Sequence, residues 1–372
     1  MGYRKSNAKK YLIDCPKSVL RLIIYPKRFI NESKTYYPEK EHKGNLRAFF
    51  DQLRFALKYG YNNDEYYIYG QDIKGTAKEE EFVPENENMD TLLFQNRNFI
   101  LKESKQFHYY NHLCLLRDKW IFSKLMEGFG FPIPKTIGAF IGGKFVLNGT
   151  HDFRGLEDFC QTNECDVMAK PISGNSGKGI LHLKVKNSII YHKDKQLTVD
   201  ELHGLIKDDI YIIQEYITNQ HPAMKNLFSG SVNTLRITMA RANNEIQLLG
   251  VMCLMGARDA EFSNWHYGGV CVNVKRGGIL DKYGFSFSDK RIEKHPDSGI
   301  VFEGYKIPFY EEALEMCLQA MNMFYGMKTI GWDIAFTENG PVFIEGNDGW
   351  GIAAHQMVEH RGWAKQYYEV FK

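Results

Sequence analysis

The stretch Gly331-Trp-Asp-Ile-Ala-Phe-Thr-Glu-Asn-Gly-Pro-Val-Phe-Ile-Glu-Gly-Asn347 leaves the chain few local options. Two short alternating runs flank the turn residues Glu338-Asn339-Gly340, a pattern that predicts a β-hairpin. Register decides what the hairpin can do. A two-residue Asn339-Gly340 turn would set Asp333 opposite Gly346, on the wrong face. A three-residue loop, 338 to 340, with Gly340 left-handed as a bulge, sets Asp333 opposite Glu345, and Asn347 then shares that face. Three oxygen-bearing side chains, two of them anionic, suit Mg²⁺, which takes hard oxygen ligands and keeps positions for water and substrate phosphates. The plain alternative is an ordinary hairpin whose acids are solvated.

The rest of the chain bears on that choice. At 372 residues it is long enough for two or three domains, and 44% hydrophobic with 25% charged residues is ordinary for a globular protein. The net charge of +2 gives no reason to expect nucleic acid as a partner. The first thirty residues are nevertheless basic, with Arg4, Lys5, Lys9, Lys10, Lys17, Arg21, Lys27 and Arg28. Such a bias reads either as a solvated helix face or as a docking surface for anionic lipid or polyanionic sugar. Seven cysteines show no CxxC or zinc-type spacing, which makes a reducing cytoplasm the default. No apolar run reaches transmembrane length, and the N-terminus lacks the apolar core of a signal peptide. Met1-Gly2 with Ser6 fits the myristoylation pattern, a match too short to carry weight.

Periodicity predicts a mainly helical region over the first hundred residues, with Leu46 to Leu57 as its clearest helix and Lys78 to Met89 as an exposed loop or turn. A further helix is predicted over 111–126, stopped at Gly128-Phe-Gly-Phe-Pro132. Strands follow at 136–140, 144–147, 167–171, 180–185, 210–217, 233–241, 246–256 and 269–274. A helix from Tyr310 to Phe324 leads into the hairpin. Strands mixed with helices indicate an α+β or mixed α/β chain rather than a bundle or sandwich.

Ser173-Gly174-Asn175-Ser176-Gly177-Lys178-Gly179 joins two of those strands. Its glycines let backbone amides approach a phosphate chain, and its position makes it a flap over a ligand or simply a long turn. It is neither a Walker A loop nor a dinucleotide fingerprint, because the required residues and the following helix are missing. Lys170, in the strand just before it, could meet the same phosphates, and Lys119 is a second candidate ammonium. Gln214 and Glu215 interrupt the apolar strand 212–217, against which an adenine would find backbone donors, acceptors and the Gln214 amide. Arg236, in Asn233-Thr-Leu-Arg236, suits bidentate recognition of phosphate or carboxylate, or a structural salt bridge.

In this order the segments Lys170-Pro…Gly-Lys-Gly-Ile180, Gln214-Glu-Tyr-Ile217 with His221, Ser231-Val-Asn-Thr-Leu-Arg-Ile237, His295-Pro-Asp-Ser-Gly299 and Gly331-Trp-Asp…Ile-Glu-Gly-Asn347 resemble the ATP-grasp superfamily. The similarity is greatest to its sugar-transfer-associated branch, and Asn264 followed by Gly268-Gly269 resembles that branch too. It covers about residues 105 to 363. The resemblance implies an α+β fold of two subdomains gripping ATP, arranged as a mainly helical N-terminal region (1–104), a linking subdomain (105–165) and a catalytic core (166–372). It implies that Lys119, Lys170 and the 173–179 loop hold the phosphates, that Gln214 and the backbone of Glu215, Tyr216 and Ile217 hold adenine, and that His221 lies near ribose. Asp333, Glu345 and Asn347 would bind two Mg²⁺ ions, and Arg236, Arg258 and Asn264 would face the transferred phosphoryl group or the acceptor. Other members place an acid against the ribose hydroxyls; this chain has Asn219-Gln220-His221 there.

The implied chemistry joins a carboxylate to an amine through an acylphosphate, with a sugar carboxylate and an amino acid as the expected pair in polysaccharide biosynthesis. A kinase-like transfer to a hydroxyl and a nucleotide-binding subunit of a glycan assembly complex are the alternatives. Peripheral association with such a complex, without a transmembrane segment, completes the expectation.

Overall fold

The computed structural model describes residues 8–25, 34–75, 79–89, 112–161, 164–173, 177, 179–193, 195–206, 209–243, 245–258, 263 and 268–371. Two helices lead: α1 (Ala8–Ile24) and α2 (Asn45–Tyr59). α2 stops at Gly60, whose φ of +88° lets its amide cap the Ala56 carbonyl. α1 hangs on that end of α2 through the Ser18 hydroxyl to the Gly60 carbonyl, 3.2 Å, and the Tyr11 hydroxyl to the Leu57 carbonyl. Turn-rich stretches, 34–44 and 60–75, surround the helices. The stretch 79–89 is built of turns, but it is not exposed throughout as its polar composition predicts. It folds as a 3-10 turn (Glu79–Glu81) and a helical turn over 85–89, with Phe82, Val83 and Asn88 buried. Gln356 accounts for this: its side chain accepts from the Val83 amide (2.9 Å) and donates to the Val83 carbonyl (2.8 Å), replacing the strand partner that segment lacks.

The helix expected over 111–126 is broken into α3 (Cys114–Arg117) and α4 (Lys119–Gly128). Asp118 breaks it by adopting an extended backbone and accepting hydrogen bonds from the Trp120 and Ile121 amides, an N-cap in mid-segment. Residue 111 lies outside the described residues.

An eight-stranded antiparallel sheet comes next. It comprises β1 (Thr136–Ile141), β2 (Lys144–Leu147), β3 (Phe153–Arg154), β4 (Cys165–Pro171), β5 (Leu181–Lys186), β6 (Ile189–His192), β7 (Lys195–Leu197) and β8 (Tyr211–Glu215), in the order β3-β2-β1-β8-β4-β5-β6-β7. This one sheet therefore takes strands from both sides of residue 165. Helices α5 (Leu156–Gln161) and α6 (Val199–Ile206) lie between its strands in sequence, and Phe159, Leu202 and Ile206 pack with Phe140, Phe145 and Leu183.

After α7 (Pro222–Leu227) the chain builds a second, seven-stranded antiparallel sheet. Its strands are β9 (Thr234–Ala242), β10 (Glu245–Met255), β11 (Val270–Lys275), β12 (Ile279–Ser286), β13 (Lys290–Ile292), β14 (Thr329–Thr337) and β15 (Gly340–Asn347), ordered β13-β12-β11-β10-β9-β14-β15. Helix α8 (Tyr310–Met323) covers one face, joining Leu235, Ile237, Trp332 and Ile334 in the largest apolar cluster. The other face carries Arg236 and Thr238, and there α9 (Ile352–Val358) packs, with His355 Nε2 2.8 Å from the Thr238 hydroxyl. α10 (Ala364–Phe371) closes the chain. The N-terminal aromatics Tyr36, Tyr37, Tyr66, Tyr67 and Tyr69 join Met252, Leu254 and Cys271 on this same face, next to α9. Cys15, Cys114, Cys165, Cys253, Cys271 and Cys317 are free thiols.

Candidate active site

The opening hairpin is β14–β15, and Asp333 pairs with Glu345. Its turn differs from both predicted forms. Thr337 pairs with Gly340, so the loop is Glu338-Asn339, and a register shift between Asp333 and Ile334 takes up the extra residue. The Thr337 hydroxyl fixes this tighter turn, accepting from the Asn339 amide (3.2 Å) and donating to the Gly340 carbonyl (3.0 Å). The bulge therefore sits beside the acids, not at the tip.

Arg236 on β9 pairs with Asp333 across the sheet and clamps it: Nε donates to Oδ1 at 2.8 Å and Nη2 to Oδ2 at 2.7 Å. Asn347 Nδ2 donates at 3.3 Å to both Asp333 Oδ2 and Glu345 Oε1. Burial pushes the Asp333 carboxyl up to about 6 in spite of Arg236, and the neighbouring Glu345 adds to the rise. Burial also opposes the Glu345 charge, yet Lys119, Arg236 and Lys170 outweigh it and hold that carboxyl below its usual range. The donor set fits Mg²⁺: two hard carboxylates and an amide that, turned over, would present its oxygen beside them. Among the described residues no three His, Cys, Asp or Glu side chains converge, so a cation here would also need substrate or water oxygens.

Facing these acids are the two lysines. Lys170, near the end of β4, is 9% exposed, and its Nζ donates to Gln214 Oε1 at 3.0 Å. Burial lowers its pKa to about 8, with Glu345 opposing and Lys119 adding to the shift. Lys119 opens α4, its backbone amide reaching the Ile172 carbonyl (3.2 Å) at the base of the glycine loop, and burial lowers it too. α3 fixes this placement from behind: a Cβ on Gly346 would come within 2.8 Å of Leu116, so glycine lets the helix close on the hairpin.

The Gln214 amide, expected to read a base, is engaged within the protein. Its oxygen accepts from Lys170, while Nε2 donates to the Ser123 hydroxyl (3.0 Å) and the Pro134 carbonyl (3.3 Å). The side chain is fully used in aiming Lys170. Glu215 is exposed and meets Lys135 at 3.3 Å, and Tyr216 stacks on His182 at 4.2 Å. Ile217 follows in an irregular, half-buried stretch. His221 caps α7, accepting from the Ala223 amide, and its backbone binds Phe336, three residues along β14 from Asp333.

Arg258 is paired with other acids. Its backbone amide donates to Asp297 (2.8 Å), its guanidinium pairs with Asp289, and φ is +56°. Buried His295 supports that corner, bonded to the Gly256 carbonyl at 2.7 Å. Of the glycine loop, Ser173 is exposed, and Gly177 and Gly179 have φ of +78° and +77°. Gly174, Asn175, Ser176, Lys178 and Asn264 lie outside the described residues.

Three contributors escaped sequence reasoning. Ser123 holds Gln214, Arg117 grips Asp348 at 3.0 and 2.6 Å just beyond Asn347, and His355 stands under Thr238. Burial first, then Arg236, drives the His355 pKa down to about 3, so it serves there as a neutral imidazole. Only the helical phase of Ser123 relative to Lys119 hinted at any of these.

A family profile described as sugar-transfer associated ATP-grasp matches residues 95–371. No curated protein matches the chain. Among solved structures it is similar to carboxyaminoimidazole ribonucleotide synthase from Aspergillus clavatus, complexed with ATP, at 12% identity over 70% of this chain and 50% of that one, TM-score 0.41. Biotin carboxylase from Campylobacter jejuni matches at 14% identity over 75% and 52%, TM-score 0.44. D-alanine–D-alanine ligase from Bacillus anthracis matches at 16% identity over 74% and 73%, TM-score 0.40. The chain spans about half the length of the first two.

Proposed function

Because the chain belongs to the sugar-transfer-associated ATP-grasp family, we propose that it is an ATP-dependent carboxylate–amine ligase that works through an acylphosphate and releases ADP and phosphate. The observation that carries this reading is the Arg236–Asp333–Glu345–Asn347 cluster set against Lys119 and Lys170. Phosphoryl transfer runs on positioning and charge neutralisation, which is what such a set provides without a nucleophilic side chain.

Lys119 and Lys170 bind the β- and γ-phosphates, and the Ser173–Gly179 loop covers them. Gln214 holds Lys170 on line, so adenine is met by the backbone of Glu215 to Ile217, with His221 toward the ribose. Two Mg²⁺ ions held by Asp333, Glu345 and Asn347 would neutralise the phosphate oxygens during transfer. Arg236 takes one lone pair of each Asp333 oxygen and so competes with a cation there, and a guanidinium so placed suits the transferred phosphoryl group or the acceptor carboxylate. Arg258 and Asn264 are assigned to the acceptor side. The carboxylate attacks the γ-phosphorus and ADP leaves. The amine then attacks the acyl carbon and loses a proton, and phosphate departs.

Within this reading the carboxylate belongs to a sugar acid and the amine to an amino acid, joined in the cytoplasm during polysaccharide synthesis. The test is a screen of amino acids and uronic acids for ADP release, with mass spectrometry of the products. Hydroxylamine should trap the acylphosphate as a hydroxamate when the amine is withheld. A stable phosphoester would support a kinase instead, and AMP with pyrophosphate would exclude the mechanism.

A further inference from the structure

The helix pair α1–α2 takes no part in the proposed reaction, and it carries the least explained surface of the molecule. Among the described residues α1 is bound to the protein along one side, where Cys15 and Leu22 are buried and Tyr11 and Ser18 bond to α2. Away from that side, Leu12, Ile13, Leu20, Ile23 and Ile24 are 49–72% exposed. At 100° per residue these five fall within one arc of about 120°. Lys17 and Arg21, both exposed, border the arc. On α2, Leu46, Phe50 and Leu57 are 71%, 54% and 51% exposed, and their spacing of four and seven residues sets them in a single stripe. Isolated exposed apolar residues are ordinary, but two aligned rows on one helix pair mark an interaction surface.

Charge identifies the occupant. The first thirty residues contain eight basic residues and one acid, Asp14, in a chain whose net charge is only +2. A polyanionic sugar would engage the cations and leave the leucines and isoleucines in water. A protein partner would more often meet a surface depleted in lysine. An apolar ridge with a basic border matches the interface of a bilayer, where acyl chains lie below a layer of phosphates. No helix among the described residues is long and apolar enough to cross a membrane, so such contact would be with its surface.

We propose that α1 and α2 form a docking surface for anionic phospholipid membranes. α1 lies in the headgroup plane, its Leu12–Ile24 ridge turned to the acyl chains and Lys17 and Arg21 among the phosphates. Active-site chemistry plays no part in this assignment, so it stands or falls separately from the ligase reading.

The experiment is vesicle flotation of the full chain with phosphatidylcholine alone and with phosphatidylcholine–phosphatidylglycerol mixtures. Wild type should float with the anionic mixture and much less with phosphatidylcholine. Lys17→Glu with Arg21→Glu should weaken binding by about fivefold for each cation removed, and salt should do the same. Leu20→Glu with Ile23→Glu should abolish flotation while circular dichroism and the melting temperature stay unchanged, since both positions face outward. The proposal is overturned if wild type floats with neither mixture, or if the Leu20/Ile23 variant floats as wild type does. It is equally overturned if wild type is a dimer that this variant splits, as seen by light scattering, without any vesicle binding. Retention on dextran sulfate without flotation would reassign the surface to polyanions.

Discussion

Two pairs of acids lie on the α9 side of the second sheet and its neighbours, and they are treated in opposite ways. Asp333 and Glu345 are surrounded by Arg236, Lys119 and Lys170, and Glu345 is held charged. Among the described residues no cation adjoins Glu65 and Glu85 in that way. Burial, then Asp64 and Glu85, pushes the Glu65 carboxyl up to about 7, and Glu85 is raised by burial although the Ala353 amide donates to it at 2.7 Å. Each like-charged pair costs stability unless cations offset it. At the hairpin the cations are exchangeable groups in reach of a ligand. At the N-terminal pair the offset is a helix end and, for Glu65, a bound proton. The contrast separates acids kept ionised for use from acids tolerated for packing.

The largest effect should come from breaking the compensated pair. Glu345→Ala is expected to lower ATP turnover by about three orders of magnitude, with the fold intact because Asp333 keeps Arg236. Near-normal turnover by a folded variant would remove Glu345 from the working site. Next comes Arg236→Ala, which should act in two directions. Turnover should fall about a hundredfold, while Mn²⁺ binding without nucleotide, read by electron paramagnetic resonance, should tighten by about tenfold because the guanidinium no longer competes with the cation at Asp333. Weaker or unchanged Mn²⁺ binding would mean that Arg236 is no placeholder for the cation.

A smaller, pH-dependent effect belongs to Lys170. Burial lowers its pKa to about 8, so it is charged below that value and neutral above. ATP affinity should therefore hold from pH 6 to about 7.5 and decline as pH rises through 8 to 9. In Lys170→Met, affinity should be low throughout and the slope absent. An identical slope in the variant would assign the titration to another group.

How much of this contrast was legible in the sequence follows from the range of each interaction. The hairpin acids could be read because alternation and turn residues are local, and the phase of a strand decides which side chains share a face. The bulge beside Asp333 could not, since nothing in Asp333-Ile334 distinguishes it from a regular pair. Lys170 announced itself by its place before a glycine loop. The clamp of Arg236 on Asp333 joins residues 97 apart in the chain, and only the β9–β14 pairing brings them together. The partners of Gln214 were hidden for a similar reason: an amide in an apolar strand looks available until Ser123, from a helix 91 residues away, takes its donor. The N-terminal acids were invisible, because Glu65 sits in a Tyr-rich segment without periodicity and comes near Glu85 only once the chain has folded.

The uncompensated pair yields the smallest effect and the sharpest sign. With a folded-state pKa near 7 against an ordinary value of 4.5, Glu65 binds its proton more tightly in the folded chain than in the unfolded one. Stability attributable to this group is thus greatest in acid and declines as pH rises from about 4.5 to 7, levelling off above. Glu65→Gln mimics the protonated state at every pH. The variant should melt about 2–4 °C higher than wild type at pH 8, and the gap should close as pH is lowered to 5. Buried His355 and His360, both driven down in pKa, destabilise the fold in acid, but they do so equally in the two proteins and cancel in the difference. Among the described residues Asp64, Glu85 and Tyr69 are its charged or titratable neighbours, and none supplies a positive charge. A wild type as stable as the variant at pH 8 would reveal a counter-charge on Glu65, and the two acid pairs would then differ in degree instead of kind.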